Sequence, residues 1–342
     1  MGKFDDILKK ATADCIDPDE ALCLFEESEN YEKAQDLFRV AAKVRDRELG
    51  TVFKWSGGVA SVLPCKLRPL CCYCPYWVKK TEPLAMAEIL KAVNYIEEIG
   101  INNFHLSGGT DLKSDGAELV EIVKNIRAES GSEITVNVGA AISPENVLEL
   151  KALGVTRIGS VFETINPDLF ARLKPGDSLE AKKKLAKTID AAGIGLGTGL
   201  LAGLGTDQSR FKDYVDFMFY IKQFGNLKRV YISRFNPVKG TPLEDHPRCS
   251  TLEGARIMAV MRLVLRNVEI GPAAGWSYDD IPVWVAAGGG NSVGGVHVTR
   301  TPGYTNNWYL HSAVNYSEKM EYRNIIPVAT KILNEMEIQM QF

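Results

Sequence analysis

The chain has 342 residues, 45% hydrophobic and 24% charged, with a formal net charge of -3 at pH 7. That balance is the profile of a globular protein, the length is ordinary for a single α/β barrel, and the slightly acidic charge argues against a nucleic-acid partner. No apolar run is long enough to span a membrane, the opening MGKFDDILKK has no apolar leader core, and Asp6 breaks the myristoylation pattern that Gly2 would begin, so a cytoplasmic protein is expected.

Residues 1–50 read as an N-terminal helical extension. Asp17-Pro18-Asp19-Glu20 is a helix start, with a cap, a first-turn proline and early acids. Ala34, Leu37, Phe38, Ala41 and Val44 then recur at helical spacing up to Gly50. From 51 to 271 the pattern alternates. Short apolar runs at 51–55, 103–106, 134–138, 157–162, 195–201, 229–234 and 268–271 are followed by amphipathic stretches near 84–99, 115–129, 144–153, 178–192, 208–224 and 251–266. Such alternation predicts parallel strands with right-handed helical crossovers. Seven units favour an α/β TIM-type barrel, complete or nearly complete, over a doubly wound sheet, with functional groups at the C-terminal ends of the strands. Residues 272–342 read as a barrel-closing segment: tight turns in the Gly-rich run 286–295, then a helix near 317–336.

Seven cysteines, an odd number, suit metal or redox use better than a disulfide framework. Cys65, Cys71 and Cys74 crowd one segment, Cys65-Lys-Leu-Arg-Pro-Leu-Cys71-Cys72-Tyr73-Cys74, just after the first predicted strand. Three thiolates so placed can hold three irons of a cubane cluster and leave the fourth open; a structural zinc site is the alternative reading of the same residues. Cys15, Cys23 and Cys249 are dispersed and form no obvious second set.

The spacing Cys-x5-Cys-x2-Cys with Tyr73 before the last cysteine resembles the cluster loop of the radical S-adenosylmethionine (SAM) superfamily, whose usual first gap is two residues shorter. Ser107-Gly108-Gly109-Thr110 resembles that superfamily's Gly-Gly-Glu motif, with Thr110 in place of the acid. The run Phe162-Glu163-Thr164-Ile165-Asn166-Pro167, followed by Arg172-Leu173-Lys174-Pro175-Gly176, resembles the biotin synthase-like branch. So do the glycine-rich run around Gly203 and the closing GGGNSVGG. Within that branch the lengthened cysteine spacing resembles the HmdB (HcgA) proteins, which are implicated in building the iron-guanylylpyridinol cofactor of the mono-iron hydrogenase of methanogens.

The resemblance implies a 4Fe–4S cluster on Cys65, Cys71 and Cys74, with Cys72 spare, and SAM as the second cofactor. It implies SAM contacts from Tyr73, Gly108, Gly109, Thr110, Glu163, Gly203 and Lys182, the last standing where the branch carries a carboxylate-binding arginine; a solvated helix lysine is the other reading of Lys182. It implies reductive cleavage of SAM to a 5′-deoxyadenosyl radical that takes hydrogen from a small substrate. A one-electron donor such as ferredoxin or flavodoxin is implied with it. His105, Asn137, Arg234 and Asn236, at predicted strand ends, are substrate candidates; His297 and Arg300 are ambiguous. Other branch members, of the diiron hydrogenase maturase or amino-acid mutase type, and a non-catalytic zinc-stabilised binding protein are the alternatives. The sequence leaves substrate and oligomeric state open.

Overall fold

A computed structural model describes residues 2–75, 82–139, 141–206, 209–300, 313–317 and 319–342. Three helices open the chain: α1 (Lys3–Ala11), α2 (Pro18–Glu27) and α3 (Tyr31–Leu49). The expected start of α2 is a reciprocal capping box, Asp17 accepting from the Glu20 amide and Glu20 from the Asp17 amide, both at 2.9 Å.

Strands and helices then alternate: β1 (Val52–Val59), α4 (Met86–Glu98), β2 (Asn103–Gly108), α5 (Ala117–Glu129), β3 (Glu133–Val138), α6 (Pro144–Ala152) and β4 (Val155–Gly159). A short α7 (Pro167–Leu173) precedes α8 (Leu179–Ala191), followed by β5 (Gly195–Ala202), α9 (Arg210–Ile221), β6 (Leu227–Arg234), α10 (Thr251–Leu265) and β7 (Glu269–Pro272). After α11 (Ile281–Ala286) come β8 (Ser292–Arg300), β9 (Ala313–Ser317), β10 (Met320–Asn324), α12 (Ile326–Glu335) and β11 (Gln339–Gln341).

The seven strands β1 to β7 lie side by side in chain order and pair in parallel, and β8 pairs in parallel with the far side of β1. The two ends of this series meet where Gly290, just before β8, bridges Ile270 of β7 through an N–H···O bond of 2.9 Å. The result is the expected TIM-type barrel, joined at one rim. The antiparallel pair β10 and β9 extends the sheet beyond β8, and β11 adds to the lower half of β1. Helices α2, α3 and α10 share buried side chains with the barrel in one continuous core.

Two details of the closing segment differ from expectation. The Gly-rich run does not stay in turns: from Ser292 it enters β8, because extended backbone beside β1 satisfies its amides. The helix expected near 317–336 begins only at Ile326; residues before it pair with β8 as β10. Pro327 explains the boundary, since proline is tolerated in the first turn of a helix and not in its interior. Buried Arg45 and Arg262 hold the turn ahead of β8. Arg45 donates to the Val285 and Gly289 carbonyls (3.1 and 2.6 Å), and Arg262 to Gly288 and Val268 (2.9 and 2.7 Å).

Candidate functional site

The cysteine loop runs over the C-terminal rim of the barrel, held on two sides. On one side it sits on the end of β2. The Gly109 amide donates to the Leu63 carbonyl (2.9 Å) and the Lys66 amide to the Thr110 carbonyl (2.8 Å). A Cβ on Gly109 would fall 2.2 Å from the Cys65 nitrogen, so only glycine lets the two backbones meet. On the other side the Cys72 amide donates to the Leu173 carbonyl (2.8 Å), and a Cβ on Gly176 would fall 2.1 Å from the Pro69 carbonyl.

Within the loop the Cys74 amide donates to the Cys71 carbonyl at 3.1 Å, closing a turn that brings these two residues together. Cys72, in the middle of the turn, points its thiol at the Arg172 carbonyl, 3.3 Å away. Burial pushes the Cys71 thiol up to about 11, although Lys174 and Lys182 act in the opposite direction.

Glu163 stands below this loop. Its φ of 66° is unusual for a residue with a side chain, a strain of about 1–3 kcal/mol that persists only where the surroundings impose it. Here they do: the Glu163 amide donates to Gly199 and its carbonyl accepts from Leu201, both at 2.9 Å, so β5 clamps the residue. Its Oε1 lies 3.5 Å from the Tyr73 hydroxyl, and Oε2 is buried with no partner among the described residues. Burial raises the Glu163 carboxyl above its ordinary value, partly offset by Lys174 and Lys182. Burial, then Glu163, puts the Tyr73 phenol well above 10.0.

Lys182 is not a solvated helix lysine. It is 3% exposed and pairs with Asp177 Oδ2 at 3.2 Å, which Lys174 also approaches at 2.9 Å. Burial, then the neighbouring Lys174, lowers Lys182 to about 8. Two lysines against one aspartate leave a buried positive surplus that acts on both Cys71 and Glu163.

Below the rim the barrel encloses a cavity of about 710 Å³, in the range of small-molecule sites. His105, Asn137, Glu163 and His297 line it. The two imidazoles lie 6.2 Å apart, and a Cβ on Gly58 would fall 2.4 Å from His105. Asn137 fits because Gly159 carries no side chain, whose Cβ would sit 2.8 Å from the amide oxygen.

Arg234, Asn236 and Gly203 are not among the lining residues. Arg234, expected to face a substrate, is instead 1% exposed, stacked on Trp276 and bonded to Asp280 (2.8 Å) and the Gly275 carbonyl (2.7 Å). Its fork is taken up by the segment that follows β7. Gly203 has φ 91°, and its amide donates to the Tyr214 hydroxyl (3.0 Å). Arg300 pairs with Glu88 of α4 at 2.5 Å. Sequence reasoning missed Lys174 and Asp177 and, in the cavity, Arg157, Arg229 and Glu269. For Arg157 the available signal was its place as the one charged residue of β4; Arg229, beside Lys228 in β6, and Lys174 and Asp177, outside the strands, gave none.

Among the described residues no three His, Cys, Asp or Glu side chains converge tightly enough to share one metal ion. A cubane makes no such demand, because each thiolate binds a different iron. The glycine-seated loop, the Cys71–Cys74 turn, the diverted Cys72 and the buried positive surplus all suit an anionic three-thiolate cluster. The Glu163 oxygen left without a partner among the described residues suits a hydrogen-bonding ligand beside it.

Residues 65–218 match the model of the Radical SAM superfamily. An uncharacterized protein of Methanocaldococcus jannaschii is 35% identical over 279 residues, covering 78% of this chain and 71% of that one. The biotin synthase of Carboxydothermus hydrogenoformans is 26% identical over 249 residues, 70% of this chain and 74% of that one. The crystal structure of methylornithine synthase (PylB) superposes with a TM-score of 0.78 at 21% identity, covering 100% of this chain and 98% of that one, a likeness of fold.

Proposed function

Starting from a chain that belongs to the radical SAM superfamily, in its biotin synthase-like branch, and is therefore an enzyme using a 4Fe–4S cluster and SAM on a small molecule with an external reductant, we propose that it serves biosynthesis of the iron-guanylylpyridinol cofactor of mono-iron hydrogenase, as an HmdB-type protein. The observation that carries this is the Cys65-x5-Cys71-x2-Cys74 spacing, seated by Gly109 and facing Glu163. The similarity to a Methanocaldococcus jannaschii protein supports it.

Bound together, the cluster and SAM supply one-electron cleavage of a carbon–sulfur bond and removal of a hydrogen atom from the substrate. Cys65, Cys71 and Cys74 would hold the cluster. Lys182 and Lys174 would supply positive charge for the SAM carboxylate, as point charges and not as a bidentate fork. Glu163 would accept from SAM through its unused oxygen, while Tyr73, kept protonated, holds the other. Gly108, Gly109 and Thr110 would bring backbone close to the ligand. The barrel wall shields the cavity from solvent, and His105, Asn137 and His297 face the substrate. A ferredoxin or flavodoxin would deliver the electron.

No cysteine lines the described cavity, and Cys249 is buried beside Gly203. The barrel thus offers no thiol set for a second, sulfur-donating cluster, which sets this chain apart from sulfur insertion.

The test is anaerobic reconstitution with iron and sulfide, then dithionite and SAM, with products read by mass spectrometry. Formation of 5′-deoxyadenosine and methionine, accelerated by a pyridinol precursor, supports the reading. An intact cluster with bound SAM and no 5′-deoxyadenosine would sink it.

A further inference from the structure

The floor of the barrel carries charge that the cofactor chemistry does not use. The strand register puts Arg157 of β4 in one row with Thr135 of β3, His105 of β2, Gly58 of β1 and His297 of β8. Arg229 of β6 stands beside Glu269 of β7. Both arginines line the cavity, and glycines make room for them: a Cβ on Gly197 would fall 3.3 Å from the Arg157 side chain, and one on Gly271 3.1 Å from that of Arg229.

Among the described residues these guanidiniums share one carboxylate, and Arg229 also lies over the Tyr231 ring at 4.6 Å. Arg229 Nη1 is 2.5 Å from Glu269, Arg157 Nη1 is 3.8 Å from the same carboxylate, and Arg229 Nε is buried without a partner among the described residues. A guanidinium offers five donors, and among the described residues the nearest acid to Arg157 is Glu269 at 3.8 Å, so its fork stays open to a ligand. At the floor end of the lining Lys54, Arg157 and Arg229 face Glu133 and Glu269; the third acid, Glu163, stands at the rim under the cysteine loop and brings the lining as a whole to balance. His105 adds no charge, because burial and then His297 lower it to about 3.

Resting on the reading of this cavity as the substrate chamber, we infer that the substrate is a monoanion whose carboxylate is held at the barrel floor by Arg157 and Arg229, with the reacting carbon toward Glu163 and the cysteine loop. A planar two-oxygen anion matches the fork of Arg157, and a floor end with one more cation than acids suits a carboxylate better than a phosphate dianion.

The test uses reconstituted enzyme with SAM, and 4-fluorobenzoate and 4-fluorobenzamide as probes, observed by fluorine NMR. The acid should bind the wild type at least tenfold more tightly than the amide. Arg157→Gln should weaken the acid at least tenfold with little effect on the amide, and Arg157→Lys should fall between. Cluster absorbance of each variant reports folding, and the acid–amide comparison on the wild type needs no variant. Equal binding of acid and amide, binding of neither to the wild type, or unchanged acid binding in Arg157→Gln overturns the inference. Substrate-free cleavage of SAM by the wild type is followed in parallel. Its absence counts against the functional reading, while the probe result decides the carboxylate site by itself.

Discussion

The Tyr73 hydroxyl reaches Glu163 Oε1 across 3.5 Å, joining the cysteine loop to the end of the fourth strand unit. The contact is long for an O–H···O bond, so it orients the carboxylate more than it stabilises it. It leaves Oε2 buried with no partner among the described residues. Glu163→Ala should weaken SAM binding by about 1.5–3 kcal/mol, the range for a hydrogen bond to a charged group, whereas Tyr73→Phe should cost only about 0.5–1.5 kcal/mol. Calorimetric titration of the cluster-loaded protein with SAM measures both. Unchanged affinity in Glu163→Ala would remove this residue from the site.

Cys71 and Cys72 are adjacent in sequence but differ in surroundings. The Cys72 thiol faces the Arg172 carbonyl, and its amide is bound to Leu173. Cys72→Ala should therefore keep full iron and sulfide content, and Cys71→Ala should lose the cluster. Iron analysis and the visible absorption of reconstituted protein read the difference. The reverse pattern would shift the ligand set by one residue.

Gly109 tests the seat under the loop. Its missing Cβ leaves room for the Cys65 backbone at 2.2 Å, a distance no side chain tolerates. Gly109→Ala must push the two backbones apart. Iron content should drop severalfold while far-ultraviolet circular dichroism stays native, because the displaced segment is a rim loop. A variant that reconstitutes normally would show that the loop has another stable path.

What could be read from the sequence was local. The Asp17–Glu20 helix start, each strand or helix of the alternation and the crowding of Cys71 and Cys74 rest on neighbouring residues, so their physics is visible in short windows. What could not be read depends on distant segments. Arg234 ends a strand, which suggests a site residue, but Trp276 and Asp280, some forty positions on, enclose it. Lys182 lies in a lysine run that suggests solvent, yet Asp177 and the barrel rim bury it. Arg157 is the one charge of β4 and Arg229 stands beside Lys228 in β6, and only the register makes the two arginines neighbours of one Glu269.

The two cavity imidazoles predict a pH dependence. Burial, then His297, Arg229 and Arg157, lowers His105 from 6.5 to about 3; burial, then Arg323, lowers His297 to about 4, against an opposing pull from Glu321. Both are neutral in the folded protein at neutral pH. As pH falls below 6.5 the unfolded chain takes up protons that the folded barrel refuses, so stability must fall with falling pH, down to about 4 for His297 and about 3 for His105. Between pH 7 and 5 each histidine should remove about 2 kcal/mol of stability. His297→Asn and His105→Asn should each make the decline shallower, and the double variant most so. Thermal midpoints of wild type and variants at pH 7 and pH 5 check this through the difference between the two values for each protein. Equal declines in wild type and double variant would mean that the imidazoles are protonated in the folded barrel and that water reaches them there.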